Sequence, residues 1–260
     1  MKKIILTLIL IIIFTVFSTA DIYVKRVKDT EAYEMMGKKK PGRTEIEEVW
    51  MSKDKYVSDT KTMKIIIDYK NKNIKFLIVP KKMYFEIPMN FTPETIGKYF
   101  PPKIVEILRS IGLKNVRTEV DNKKVRIGNW DCFKLTMEMD IVIPALNMIP
   151  KMKIVTWMTK KAPFNYLEYR KGMNDFFEGF FTEFIKLDEK TSAEFKKLDG
   201  VNGFEVGADA EFTFFGSTIK STMRAIDVKK RKAPPGIYSI PAGYKKMDIF
   251  AALGAARNLP

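Results

Sequence analysis

The run Ile65-Ile66-Ile67-Asp68-Tyr69-Lys70-Asn71-Lys72-Asn73-Ile74-Lys75-Phe76-Leu77-Ile78-Val79-Pro80 decides the fold class. β-Branched and aromatic residues fill two arms, and a polar Lys70–Asn73 turn separates them. That pattern predicts a β-hairpin. Met63, Ile65, Ile67 and Tyr69 share one pleat face, because side chains alternate along a strand. The same signal recurs on both sides. Asp21–Asp29, Arg43–Lys53, Lys55–Asp59 and Tyr84–Ile87 read as strands, with Lys38–Gly42 as a turn. Further on, Asn115–Val120 and Lys124–Met139 flank an Asp121-Asn122 turn, and Lys153–Thr159 follows. Phe204, Val206, Ala208, Ala210, Phe212 and Phe214 alternate along one face, and Thr218–Lys229 returns from a Gly216-Ser217 turn.

Helices interrupt this pattern twice. Thr92-Pro93-Glu94 reads as a cap with proline at the first helical position. Pro101-Pro102 breaks that helix, and Lys103–Ile111 begins another that stops at Gly112. The strongest helical pattern is Asn174–Leu187. Phe176, Phe180 and Phe184 recur at i, i+4 and i+8, and Phe177, Phe181 and Ile185 run beside them. Such a stripe must meet an apolar partner. A short helix is expected around Ser192–Leu198. The stretch Ile141–Ile149 is apolar but broken by Pro144. It reads either as an edge strand or bulge tucked into the core, or as an apolar loop at the mouth of a cavity.

The chain has 260 residues, 46 Lys+Arg, 31 Asp+Glu, one Cys and no His. Without histidine, Ser-His-Asp and Cys-His catalysis are excluded, and no imidazole can bind zinc. One cysteine excludes an internal disulfide. No metal or cofactor is expected. Cys132 has no histidine to activate it and reads as a small core residue beside Trp130. Glu45 with Glu47, and Asp209 with Glu211, sit two apart on strands. That spacing is ordinary on solvated strand faces and marks no catalytic pair.

The opening Met1–Ala20 reads as a secretory signal peptide. Lys2-Lys3 precede the apolar run Ile4–Phe17, and Ser18-Thr19-Ala20 supply small residues before a cut at Asp21. The apolar run is 14 residues long, below the roughly 20 that span a bilayer. A periplasmic or extracellular protein, soluble after cleavage, is expected. From Asp21 on, 44 basic residues face 31 acidic ones, a net +13. Export and the scatter of the lysines argue against nucleic acid. A solvated surface and peripheral attraction to anionic lipid remain. Residues 21–248 form the expected domain, and residues 249–260 a C-terminal tail.

The phrases IIIDYKNKNIKFLIVPKKMYFEIP, IGNWDCFKL, IVTWMTKKAP and IYSIPAGYKKMD occur in that order. Together they resemble an exported bacterial family of unknown function within the lipoprotein-carrier (LolA/LolB) superfamily. Asp68, Gly128, Trp130, Cys132, Lys134, Trp157, Thr159, Ile240, Pro241, Gly243 and Tyr244 stand at the positions that carry the likeness. Asn129 between Gly128 and Trp130, and the apolar 141–149 segment, depart from it. The resemblance implies a mainly β fold with helical insertions. Its core is a strongly curved antiparallel sheet, an unclosed barrel, with helices in the concave face. It also implies that the concavity holds acyl chains or apolar protein segments.

The leading expectation is therefore a non-catalytic, monomeric binding protein for lipid, lipoprotein or another amphipathic ligand. Phe176, Phe177, Phe180, Phe181, Phe184, Ile143, Met148 and Ile149 are its expected cavity or lid residues. A cell-envelope sensor that binds a membrane-protein partner is the alternative. A secreted enzyme is the third reading.

Overall fold

The computed structural model describes residues 20–248 apart from residues 36, 91, 167, 170–184, 186 and 199. Fourteen strands are described: β1 (Asp21–Thr30), β2 (Tyr33–Met35), β3 (Lys38–Lys40), β4 (Arg43–Met51), β5 (Lys55–Asp59), β6 (Met63–Asp68), β7 (Asn73–Ile78), β8 (Met83–Pro88), β9 (Gly112–Ile127), β10 (Trp130–Val142), β11 (Lys151–Thr159), β12 (Phe204–Phe214), β13 (Ser217–Arg231) and β14 (Lys245–Lys246). Among the described residues three α-helices have both ends defined: α1 (Pro93–Gly97), α2 (Pro102–Ser110) and α3 (Glu189–Lys196). Twelve strands make one sheet in the order β14-β8-β7-β6-β5-β4-β1-β13-β12-β11-β10-β9. All its pairings are antiparallel except β14 on β8. β9 and β14 are its two edges, so the barrel is open.

The packing proves the curvature. Ile74 on β7 and Ile87 on β8 share one buried cluster with Leu113 and Val116 on β9 and Met139 on β10. β7 and β9 are nine positions apart in the strand order. On a flat sheet that is about 40 Å at the usual strand spacing, far more than one helical layer can bridge. The sheet must curl until its two ends flank a shared interior. Ile96 of α1 and Ile185 lie buried in that interior, and Val105 and Leu108 of α2 and Phe195 of α3 pack against it.

The outer face has its own cover. Tyr23, Trp50, Val57, Ile66 and Leu77 alternate with the inward residues and form a second buried cluster. Ala233, Ile237, Tyr238, Ile240 and Tyr244 of the chain after β13 lie across them. The phrase IYSIPAGYKK is thus a strap. Gly243 turns it at φ +83°, and Lys245–Lys246 add a parallel strand to β8.

The other edge is tied down by α3. Asp188 caps this helix by accepting the Thr191 N–H at 2.7 Å. Thr118 on edge strand β9 donates its N–H to Glu194 Oε2 at 2.9 Å. With Lys197 as its first partner and Thr118 as its second, the Glu194 carboxyl is lowered to about 2.

Several sequence expectations change. The β9–β10 turn is at Gly128-Asn129, where Gly128 takes φ +56°. Asp121-Asn122 instead lies inside β9, where the register slips between Cys132 and Lys134. Lys38–Lys40 is not a turn but the second arm of a small hairpin with β2, closed by Gly37 at φ +74°. α3 begins at Glu189 rather than Ser192. Ile185 and Leu187 are not helical, and Asp188, the extended cap of α3, follows Leu187 directly. The Ile141–Ile149 stretch is a hairpin connection: Ile143 bridges Met148 around a 3-10 turn at Pro144–Leu146.

Candidate functional site

The inner face of β10–β13 is a shallow apolar trough set by register. One row across the sheet is Leu135, Thr156, Ala208, Met223. The next is Met137, Ile154, Ala210, Ser221, and the third is Met139, Met152, Phe212, Ile219. Ala208 and Ala210 place small side chains in two of these rows, between the larger Met, Leu and Ile of their neighbours. Apart from Met139, all these side chains are only half-buried. Phe76 and Phe85 face the same interior from the far side of the sheet, stacked with ring centroids 4.9 Å apart.

A charged centre adjoins this trough, and sequence reading had not found it. Lys28 pairs with Met223 across the β1–β13 ladder. Arg26, Lys28, Glu47, Tyr56 and Ser58 share the pleat of Val24, Val49 and Met51, so all project inward. Glu47 is almost wholly buried. Its Oε2 lies 3.1 Å from Lys28 Nζ and 3.7 Å from Arg26 Nη1, and Oε1 accepts the Ser58 hydroxyl. Burial raises the Glu47 carboxyl, but Ser58, Lys28 and Arg26 outweigh it and hold the group below its usual range. Burial pushes Glu205 upward, assisted by the Glu47 charge. Burial also lifts the Tyr56 phenol to about 12. Arg26 Nε is buried without a hydrogen-bond acceptor. The signal was present in the sequence: Glu47 falls two before Val49 on one face, and Arg26 two after Val24.

Glu205 supplies a pH test. A carboxyl whose folded pKa lies above its unfolded value holds its proton more tightly in the folded state. Stability is then fullest below about pH 4.5, the unfolded value, and falls as pH rises through the folded pKa. Glu205→Gln should therefore melt higher than the parent at neutral pH, with the gap closing in acid. A gap independent of pH, or one favouring Glu205, would refute this environment.

The expected site residues fall in different places. Phe176, Phe177, Phe180, Phe181 and Phe184 lie outside the described residues. Ile185, from the same stripe, is buried in the shared interior. Ile143 and Met148 are half-buried at the β10–β11 connection, and Ile149 is exposed there. Of the carboxylate pairs, Asp209 is bridged to Arg224 at 2.5 Å and Glu211 to Lys220 at 3.7 Å. Glu45 accepts from Thr62 Oγ1 at 3.1 Å. Cys132 is buried, its thiol raised by burial and by Asp131, which suits a packing residue. Among the described residues no cluster of metal-ligating side chains occurs. Among them also, no helix is long and apolar enough to cross a membrane.

No protein-family profile and no curated sequence matches the chain. Solved structures similar to it include PNGF-II, at TM-score 0.34 and 9% identity, over 90% of this chain and 33% of that one. The chain thus spans a third of the length of PNGF-II. An outer membrane lipoprotein-sorting protein domain from Vibrio parahaemolyticus aligns at TM-score 0.29 and 9% identity, over 83% of this chain and 87% of that one. A DUF1329 family protein from Desulfovibrio piger aligns at TM-score 0.30 and 10% identity, over 88% and 92%. At scores of this size the fold rests on the strand ladders and packing above.

Proposed function

We propose that this chain is an exported, non-catalytic protein of the cell envelope that shelters a lipid, lipoprotein or other amphipathic ligand in the concave face of its sheet. The observation that carries this reading is the half-buried trough of Leu135, Met137, Met152, Ile154 and Phe212 over Ala208 and Ala210. A folded core normally closes over such side chains. Here a curved sheet leaves them partly open beside a charged centre. Methionines suit this surface because their flexible, polarizable side chains adapt to varied shapes. Each buried methylene of an acyl chain contributes about 0.8 kcal/mol. A long chain thus gains on the order of 10 kcal/mol before the costs of association. Arg26 and Lys28 stand where a polar head group at the end of that chain would meet them.

Reversible binding of this kind needs no nucleophile, which fits a chain without histidine. The test is uptake of a fluorescent fatty-acid probe by the chain beginning at Asp21. Ala210→Phe fills the trough and should reduce uptake at least about tenfold, the equivalent of 1.4 kcal/mol. Met137→Asp should do the same by placing a charge on the trough wall. Full uptake in both variants would remove the trough as the site.

A further inference from the structure

One end of the sheet carries apolar side chains that the interior does not use. Lys151 pairs with Thr213 across β11 and β12. The β10–β11 connection and the Phe215-Gly216 turn therefore leave the sheet side by side. Glu31 N–H donates to Lys220 C=O at 3.0 Å, which stands the β2–β3 hairpin against the other side of β13. On these neighbouring tips Leu146 is 49% exposed, Ile149 61% and Phe215 56%. Single exposed hydrophobics are ordinary, but three on adjacent turns form a shared edge. Phe215 is also held at φ +48°, a left-handed conformation that a bulky residue adopts only at a cost. Its ring is braced by Phe214 at 4.3 Å. Lys38, Lys39 and Lys40 are all exposed on the next hairpin, and Lys151 is exposed at the foot of Ile149.

We propose that this end of the sheet docks on an anionic lipid surface. Leu146, Ile149 and Phe215 enter the boundary between head groups and acyl chains, and Lys38–Lys40 meet the lipid phosphates. Three consecutive lysines are poor anchors for a protein partner, since lysine is depleted at protein interfaces. Flexible ammonium groups suit a fluid phosphate surface, which demands no fixed geometry. The inference is independent of ligand binding in the trough.

The test sediments the chain beginning at Asp21 with phosphatidylcholine vesicles, with and without phosphatidylglycerol. Binding is expected only with phosphatidylglycerol and should weaken as salt rises. Replacing Lys38, Lys39 and Lys40 by Ser should weaken it about a hundredfold, roughly fivefold per lysine. Replacing Leu146, Ile149 and Phe215 by Ser should reduce it at least tenfold at the same phosphatidylglycerol content, an order-of-magnitude expectation. Both variants change exposed positions, and unaltered thermal melts would confirm that they fold. Ala210→Phe should leave sedimentation unchanged, which separates this surface from the trough. No binding, equal binding to both vesicles, or unaltered binding in the tip variant would overturn the proposal. So would loss of self-association in the tip variant, by light scattering, without vesicle binding by the parent; that would make these tips a protein interface.

Discussion

Glu47→Leu is expected to destabilise the protein by about 3–5 kcal/mol, the usual cost of leaving a buried charge without its partner. Glu47 is the only carboxylate within ion-pair distance of both Arg26 and Lys28 among the described residues. Lys28 is 40% exposed in its side chain and can turn towards water; Arg26, at 15%, cannot do so freely. Glu205 becomes the remaining counter-charge near Arg26. Its carboxyl should then ionise more readily than in the parent. Urea unfolding with an unchanged m-value would measure the loss. The double variant Arg26→Met/Glu47→Leu should recover most of it, because two apolar residues need no compensation. A single-variant loss below about 1 kcal/mol would mean that water already reaches this centre.

Trp50→Ala should cost about 3–5 kcal/mol through the cavity it leaves. Trp50 is 1% exposed and lies between the sheet and the strap. The Tyr23 ring is 4.8 Å from it, and the Arg231 guanidinium sits 4.5 Å above its ring. Stripping this side chain removes the floor under Ile237, Tyr238 and Tyr244 of the strap. Trypsin should then cut after Lys229, Lys230, Arg231 or Lys232 faster than in the parent, while uptake of the fatty-acid probe changes little. The inner and outer faces are separate clusters, so a parallel loss of both would contradict that division.

Alternation made the strands legible, because a half-buried strand writes its buried face into every second residue. It placed Lys55–Asp59 at its observed bounds and the 63–78 hairpin within a residue or two. The inner face of β12 was legible for the same reason. Where polar residues build a strand, the pattern fails. Lys38–Lys40 pairs with Tyr33–Met35 without any apolar face of its own. The β9–β10 turn was misplaced because Asp121-Asn122 carries turn chemistry inside a strand. Asp121 accepts the Lys123 N–H at 2.9 Å, so its local turn-like bond survives at a slip in the ladder.

The charged centre stayed hidden for a different reason. Arg26 and Glu47 are 21 positions apart, and nothing local to either names the other as its partner. Only the β1–β4 register sets them opposite one another. The strap was likewise visible as a phrase but not as a role, since nothing local shows which face of a sheet a distant segment will cover.

Mass spectrometry of the protein purified from its native envelope tests whether the trough holds an acyl-bearing ligand. A lipid or acylated molecule is expected at about one per chain, and it should be lost in the Ala210→Phe variant. Protein free of any such molecule, which also fails to take up the fatty-acid probe, would contradict that reading.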